Sequence, residues 1–240
     1  MIRTMTTKCM KKDFHEEIVK IHDRLKSGVN FAFSKYADGE WAAICNETLD
    51  NREFSNNEST PENARQELIS SIRFQDESYY VGVCCPCCNG DRAYKMREFC
   101  GQKDANMTFA NVFVNDNYSF YKENFINEYK NRDIHLVAHE SSLVDSLPFK
   151  VERFYPIKRN AWVANSSLAD QIAEENASGK TFLFCCGPLG NILSYKLFSK
   201  NRDNTYLDIG STLNPWLRSE GFRRDYYSQS GPFANRKCVW

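Results

Sequence analysis

Asp38 and Glu40 stand one residue apart, separated by Gly39, just after the apolar run Phe31-Ala32-Phe33-Ser34-Lys35-Tyr36. Manganese and magnesium take hard oxygen donors, usually one or two carboxylates, and complete their shells with water and substrate phosphates. Two carboxylates on a turn that glycine lets approach a ligand supply that donor set. A plain helix start accounts for the same residues: Asp38 would cap it, and Glu40 would favour its positive first turn. The triplet alone does not choose, so the decision rests on what gathers around it.

In an open α/β sheet, ligands bind outside the carboxyl ends of the strands. The informative residues are therefore those that follow each apolar run. They are Asp38-Gly39-Glu40, residues 84–89, Asn115-Asp116-Asn117, His139-Glu140-Ser141, Gly187-Pro188-Leu189-Gly190 and Asp208-Ile209-Gly210-Ser211. Gly187, Pro188 and Gly190 form a glycine-rich turn between a strand and a helix. Such turns bring backbone N–H groups close to a phosphate or ribose, although a tight turn needing glycine explains this one equally. Asp208 can accept hydrogen bonds from sugar hydroxyls or act as a base; it could also cap a helix. His139 and Glu140 could deprotonate an acceptor hydroxyl, though a His or Glu in a loop is more often simply solvated. Asn115 suits a sugar or base edge as well as a helix cap. Tyr36, Trp41, Trp162, Tyr226 and Tyr227 offer faces on which sugars and bases stack, against the ordinary alternative of a core position.

The cysteines are unevenly spread. Cys84-Cys85-Pro86-Cys87-Cys88 contains two overlapping C-x-x-C pairs, and Cys185-Cys186 ends another apolar run. Four thiolates suit zinc. However, ligands packed this closely on one turn rarely all point inward, and no second C-x-x-C completes a knuckle. Small buried residues in a tight turn are the expectation. Dithiol redox chemistry would need a helix-start context that the segment lacks.

The elements that must position these residues follow from periodicity. Phe14, Ile18, Ile21 and Leu25 predict a helix over 13–26, ended by Ser27-Gly28. Strands are expected over 30–36, 79–84, 107–114, 133–138, 150–155 (closed by Pro156), 181–185 and 206–209. Helices are expected from Trp41, over 60–72 with Thr60 as cap and Pro61 at the first position, and over 92–99, 118–129, 166–175 and 188–198, with a short one at Pro215. Residues 48–62 read as a polar loop. Short apolar strands alternating with helices predict an α/β fold, Rossmann-like, with a mainly parallel sheet and helices on both faces. No linker divides the chain, so 1–240 reads as a single domain.

Composition bounds the function classes. The 240 residues carry 31 basic and 31 acidic side chains, a formal net charge of +0, which argues against nucleic-acid binding by bulk phosphate neutralisation. Short basic clusters occur at 8–12 and 218–224. No run reaches the roughly 18 apolar residues of a membrane span, and the N-terminus lacks an apolar signal region. A cytoplasmic location is expected, with the ten cysteines as thiols or ligands. The Asn-X-Thr matches at Asn46 and Asn106 are then chance. The aromatic, basic tail over 222–240 leaves two roles open: a cover over an acceptor site, or a homo-oligomer contact.

The segment Ser34-Lys35-Tyr36-Ala37-Asp38-Gly39-Glu40-Trp41 resembles the R/K-Y-G-D-G-E-F/W motif of the GT-D-type glycosyltransferases. Phe113-Val114-Asn115, Cys186-Gly187-Pro188-Leu189-Gly190 and Leu207-Asp208-Ile209-Gly210-Ser211 resemble that family's later blocks, in the same order. The resemblance spans about 30–216. It implies a UDP-sugar donor, a manganese ion (or magnesium) held by Asp38 and Glu40, and a glycan or other hydroxyl acceptor. It also implies donor contacts from Tyr36, Gly39, Asn115, Gly187, Pro188, Gly190, Gly210 and Ser211. Three positions depart from the pattern: Ala37 replaces a usual Gly, Lys35 an expected Arg, and Ser211 an expected His. The expected activity is hexosyl transfer. The alternatives are a metal-dependent phosphohydrolase or nucleotidyl transferase, and a cysteine-rich zinc-binding interaction module.

Overall fold

Seven apolar runs pair into one sheet because each is flanked by helices whose apolar faces can cover it. The computed structural model describes residues 11–47, 62–218, 227 and 237–240. Its strands are β1 (Ala32–Tyr36), β2 (Tyr79–Val83), β3 (Met107–Phe109), β4 (Ile134–His139), β5 (Arg153–Ile157), β6 (Thr181–Cys185) and β7 (Thr205–Asp208). They lie in the order β3-β2-β1-β7-β6-β4-β5, and every neighbouring pair is parallel. The chain thus adopts the expected α/β architecture.

Helices cover both faces. On one, Leu68 and Ile72 of the helix Glu62–Arg73, Met96 of Arg92–Cys100, and Leu193 and Leu197 of Pro188–Lys200 join one core with Val81 and Phe184. On the other, Phe14, Ile18, Ile21 and Leu25 of Phe14–Lys26 pack with Phe33, Leu136 and Leu207. That helix starts where Asp13 accepts from the N–H groups of His15 and Glu16.

The strand order places the site. From β1 the chain steps outward to β2 and β3. It then builds the other half of the sheet and returns with β7 beside β1. The carboxyl ends of β1 and β7 therefore flank the point where the winding reverses, which is where open α/β sheets bind ligands.

Several elements differ from expectation. The helix after β1 begins at Asp38, not Trp41, and runs Asp38–Ile44. The carboxylates therefore sit in its first turn. Strand β3 stops at Phe109, and 110–114 turns instead of extending. Phe109, Val112 and Phe113 are all buried, so that apolar run reported burial at spacings of three and one rather than a strand. Pro156 lies inside β5 rather than closing it. The sheet tolerates it because β5 is an edge strand paired only with β4. Residues 118–129 are helical, with a π-helical stretch at Tyr121–Phe125. The segment 85–91 holds a one-turn helix, Pro86–Asn89, so it has the helix start that the sequence did not suggest. Asn106 is buried, and its amide donates to the carbonyls of Asp76, Glu77 and Tyr79. The loop 48–61, Thr60, Pro61, Tyr226 and most of the tail lie outside the described residues. Among the described residues, no helix is long and apolar enough to cross a membrane.

Candidate functional site

A cleft of about 470 Å³ opens over the carboxyl ends of β1, β2, β3, β6 and β7. That volume falls within the usual range of small-molecule sites. The loop after each of these strands contributes, so five of the six strand-end segments named from the sequence converge, and His139-Glu140-Ser141 after β4 does not line this cleft.

At the end of β1, Lys35, Asp38, Gly39 and Glu40 line the cleft. Asp38 is exposed, whereas Glu40 is 6% exposed. Glu40 turns back, and its Oε2 accepts from the N–H of Ala37 at 2.9 Å. Ala37 has no side-chain acceptor to complete a reciprocal cap, so half a capping box forms. Glu40 therefore fills the helix-start role, while its position also faces the cleft. The helix-start reading thus holds for Glu40 but not for Asp38, because the cap position is Ala37 and Asp38 is the first helical residue.

Asp208 lies beneath this corner. It is 1% exposed. Its Oδ2 accepts from the N–H of Lys35 and its Oδ1 from the N–H of Gly210, both at 3.2 Å. It thus fastens the end of β1 to the end of β7. Burial pushes its pKa up to about 7; nearby Lys35 opposes the rise, and Glu40 adds to it. The Lys35 side chain crosses directly over Gly210, where a Cβ would come within 2.4 Å of Lys35 Cε. Gly210 also has φ +53°, so both its backbone and the space above it call for glycine. Asn191 completes the corner: its amide donates to Ser34 Oγ at 3.0 Å and to the Lys35 carbonyl at 2.7 Å.

Gly187 lines the cleft with φ 56° and ψ −143°, a conformation largely reserved for glycine. Pro188 and Gly190 are buried behind it, with Gly190 packed against Asp208 and Phe184. Ser211 lines the cleft, and its carbonyl accepts from the Tyr227 hydroxyl. Asn115 lines it too, in a left-handed backbone conformation with φ 57°. Tyr36 is not brought to the cleft. It is fully buried, and its hydroxyl bonds with Ser34 and Ser71 in the core. Trp41 and Trp162 are core residues as well.

His139 lines a small adjoining hollow that shares Cys185, Asn214 and Arg218 with the cleft. Its Nδ1 lies 3.2 Å from the N–H of Ser141 and 2.8 Å from that residue's hydroxyl. A backbone N–H can only donate, so Nδ1 accepts, and the neutral ring carries its proton on Nε2. Glu140 is exposed and lines neither space.

Sequence reasoning did not single out Asn111 or Asn214, which also line the cleft, and it noted Asn89 and Arg218, which line it too, only as members of the 84–89 and 218–224 segments. Their signal was weak, since each follows an apolar run at a different offset. It also missed the partner of the cysteine cluster. The Sγ atoms of Cys85, Cys87, Cys88 and Cys238 all lie within 4.8 Å of one another, which is compatible with a bound metal. Cys84 is not among them. Its thiol is directed at the Tyr36 carbonyl, 3.7 Å away, and is pushed up to about 12 by burial and by the charge of Asp38.

No family model matches the sequence, and no curated protein matches it significantly. Solved structures do match in fold. One, reported as the highly conserved domain of unknown function 1792 with a distinct glycosyltransferase fold, aligns at a TM-score of 0.60 and 16% identity. The alignment covers 81% of this chain and 77% of that one. Another, a glycosyltransferase of the same domain family from Streptococcus sanguinis, aligns at a TM-score of 0.61 and 15% identity, over 81% of this chain and 80% of the other. The chain shares the fold of these glycosyltransferase structures over most of its length.

Proposed function

We propose that the protein is a metal-dependent glycosyltransferase that moves a hexose from a UDP-sugar to a hydroxyl acceptor in this cleft. The observation that carries the proposal is the corner where Asp38, Glu40 and Lys35 meet over the β1–β7 switch point. Its supports are the shared fold and the likeness of this corner to the D-x-E motif of the GT-D-type enzymes.

The donor set fits manganese or magnesium. Asp38 offers an exposed carboxylate, and Glu40 commits Oε2 to Ala37, which leaves Oε1 as a donor. Two carboxylates make a partial shell, which substrate phosphates and water complete. Bound there, the cation would neutralise the diphosphate and make the nucleoside diphosphate a good leaving group. Lys35 and Arg218 add positive charge along the same cleft. The backbone at Gly187 and Gly210 allows close approach of the donor. Asn89 and Asn214 offer amides to the base and to sugar hydroxyls, and Asn111 and Asn115, whose amide N–H groups point at cysteine sulfurs, offer their carbonyl oxygens.

Asp208 acts from below as a positioning residue, by holding Lys35 and Gly210 in register. The acceptor would enter from the side of the adjoining hollow that His139 lines, and its hydroxyl proton would pass to solvent as it attacks. A phosphohydrolase or nucleotidyl transferase working with two metals would need more carboxylates than Asp38 and Glu40, the two among the described lining residues.

The test is UDP-hexose hydrolysis in the absence of acceptor. It is expected to require manganese or magnesium and to fall by roughly 100-fold or more in Asp38→Asn and in Glu40→Gln. Full metal-dependent turnover in those variants would refute the site.

A further inference from the structure

We propose that Cys85, Cys87, Cys88 and Cys238 bind one structural zinc ion that ties the end of the chain to the loops after β2 and β3. The proposal does not depend on the glycosyltransferase reading.

Three of the four thiols come from the one-turn helix Pro86–Asn89 and the residue before it. The fourth arrives from a position 150 residues beyond Cys88. Their Sγ atoms all lie within 4.8 Å of one another. The Cys85–Cys87 and Cys88–Cys238 pairs are 2.9 and 3.9 Å apart. Those distances bracket the ~3.8 Å sulfur–sulfur edge of a tetrahedron with zinc–sulfur bonds of about 2.3 Å. An all-sulfur set excludes magnesium, manganese and calcium, which take oxygen, and selects zinc among common divalent ions.

The surroundings are those of a thiolate cage. The N–H of Val239 points at Cys87 Sγ at 3.4 Å, the amide of Asn111 at Cys88 Sγ at 3.3 Å, and the amide of Asn115 at Cys238 Sγ at 3.3 Å. Second-shell donors of this kind hold metal ligands in place. Cys85 and Cys238 are buried, so the sulfurs are partly screened from solvent and from oxidants.

The described residues next to Cys238 are seated around the cluster. Lys237 pairs with Asp13 at 2.7 Å. The Trp240 ring lies 3.7 Å from the Arg97 guanidinium and edge-on to Phe109 at 5.1 Å. A metal joining positions so far apart in sequence restricts the unfolded chain and stabilises the folded one. Asn111, Asn115 and Cys88 also line the cleft, so the ion would brace the cleft's β2–β3 wall.

The test uses the full chain. Elemental analysis of the protein as purified is expected to find about one zinc per chain. Cobalt added to the metal-stripped chain is expected to give the strong sulfur-to-metal charge transfer and visible bands of a tetrahedral thiolate site at one equivalent. Cys238→Ser should weaken cobalt binding at least ten-fold and alter those bands. Cys45→Ser, at an exposed thiol outside the cluster, should leave them unchanged. A native chain that holds no metal and gives no thiolate bands with cobalt would overturn the proposal. So would an iron-coloured chain, intact cobalt bands in Cys238→Ser, or a metal-free chain whose mass shows Cys88 and Cys238 joined as a disulfide.

Discussion

Two neighbouring corners of the cleft, after β1 and after β2, are made from the same local device, a parallel strand that runs into a helix, yet they carry opposite chemistry. After β1, the first helical turn holds Asp38 and Glu40, oxygen donors beside the cation Lys35, with Asp38 open to solvent. After β2, the corresponding turn holds Cys85, Cys87 and Cys88, sulfur donors closed off by Cys238 from the tail. An oxygen corner with two ligands leaves most of a cation's shell for substrate phosphate. A sulfur corner with four leaves none and can only hold the chain together. One wall is therefore suited to turnover and the other to rigidity.

That contrast can be broken by comparing stability with activity. The largest expected effect on stability is at the sulfur corner. Cys238→Ser should lower Tm by roughly 5–15 °C, as loss of a tertiary metal link costs several kcal/mol. Asp38→Asn, an exposed change, should move Tm by no more than about 2 °C while removing turnover. If Cys238→Ser left Tm unchanged in a calorimetric scan, the two corners would not divide the work as argued.

Next in size is the buried carboxyl beneath the oxygen corner. Asp208 titrates near 7 in the folded chain against 3.8 as a free side chain. Between those values the folded state holds a proton that the unfolded state has lost. The Asp208 contribution to stability therefore declines as pH rises from about 4 to 7 and is level above that. Asp208→Asn should flatten this decline, by roughly 2–3 kcal/mol across the window after allowance for relaxation around a buried group. Denaturant midpoints at pH 4.5 and pH 8 measure it. A variant whose profile matches the parent would show that Asp208 is ionised throughout.

The smallest effect is at Gly210. Gly210→Ala forces a Cβ into a left-handed backbone conformation and into Lys35. The backbone term costs about 1–2 kcal/mol, while the lysine end can swing aside. The sharper readout is functional: the displaced cation should weaken nucleoside diphosphate binding more than stability falls. Equal binding by parent and variant in calorimetric titration would remove Lys35 from the phosphate site.

How much of this the sequence contained differs between the two corners. The oxygen corner was legible because its residues are contiguous, and one strand and one helix start place them together. The sheet was legible for the same reason, since continuous apolar runs such as Phe182-Leu183-Phe184 report burial on both faces. Strand ends were less so. Phe109, Val112 and Phe113 are buried by a turn whose apolar spacing resembles that of a strand, and edge position alone admits Pro156 into β5. The sulfur corner was half visible. Three of the clustered cysteines stand within four residues, but nothing marks Cys238 as their partner, because only the tertiary fold brings it there. Tyr36 shows the reverse failure: it sits within the most suggestive motif, and strand alternation turns its ring into the core.

The most direct measurement is thermal unfolding of the full chain with a panel of nucleoside diphosphates, each with and without manganese. A ligand that binds only the folded state raises Tm by mass action. UDP with manganese is expected to raise Tm by several degrees, UDP alone by less, and Asp38→Asn to abolish the manganese-dependent part. No shift with any nucleoside diphosphate, or a shift that manganese and Asp38→Asn leave untouched, would contradict the assignment of this cleft to a nucleotide-sugar.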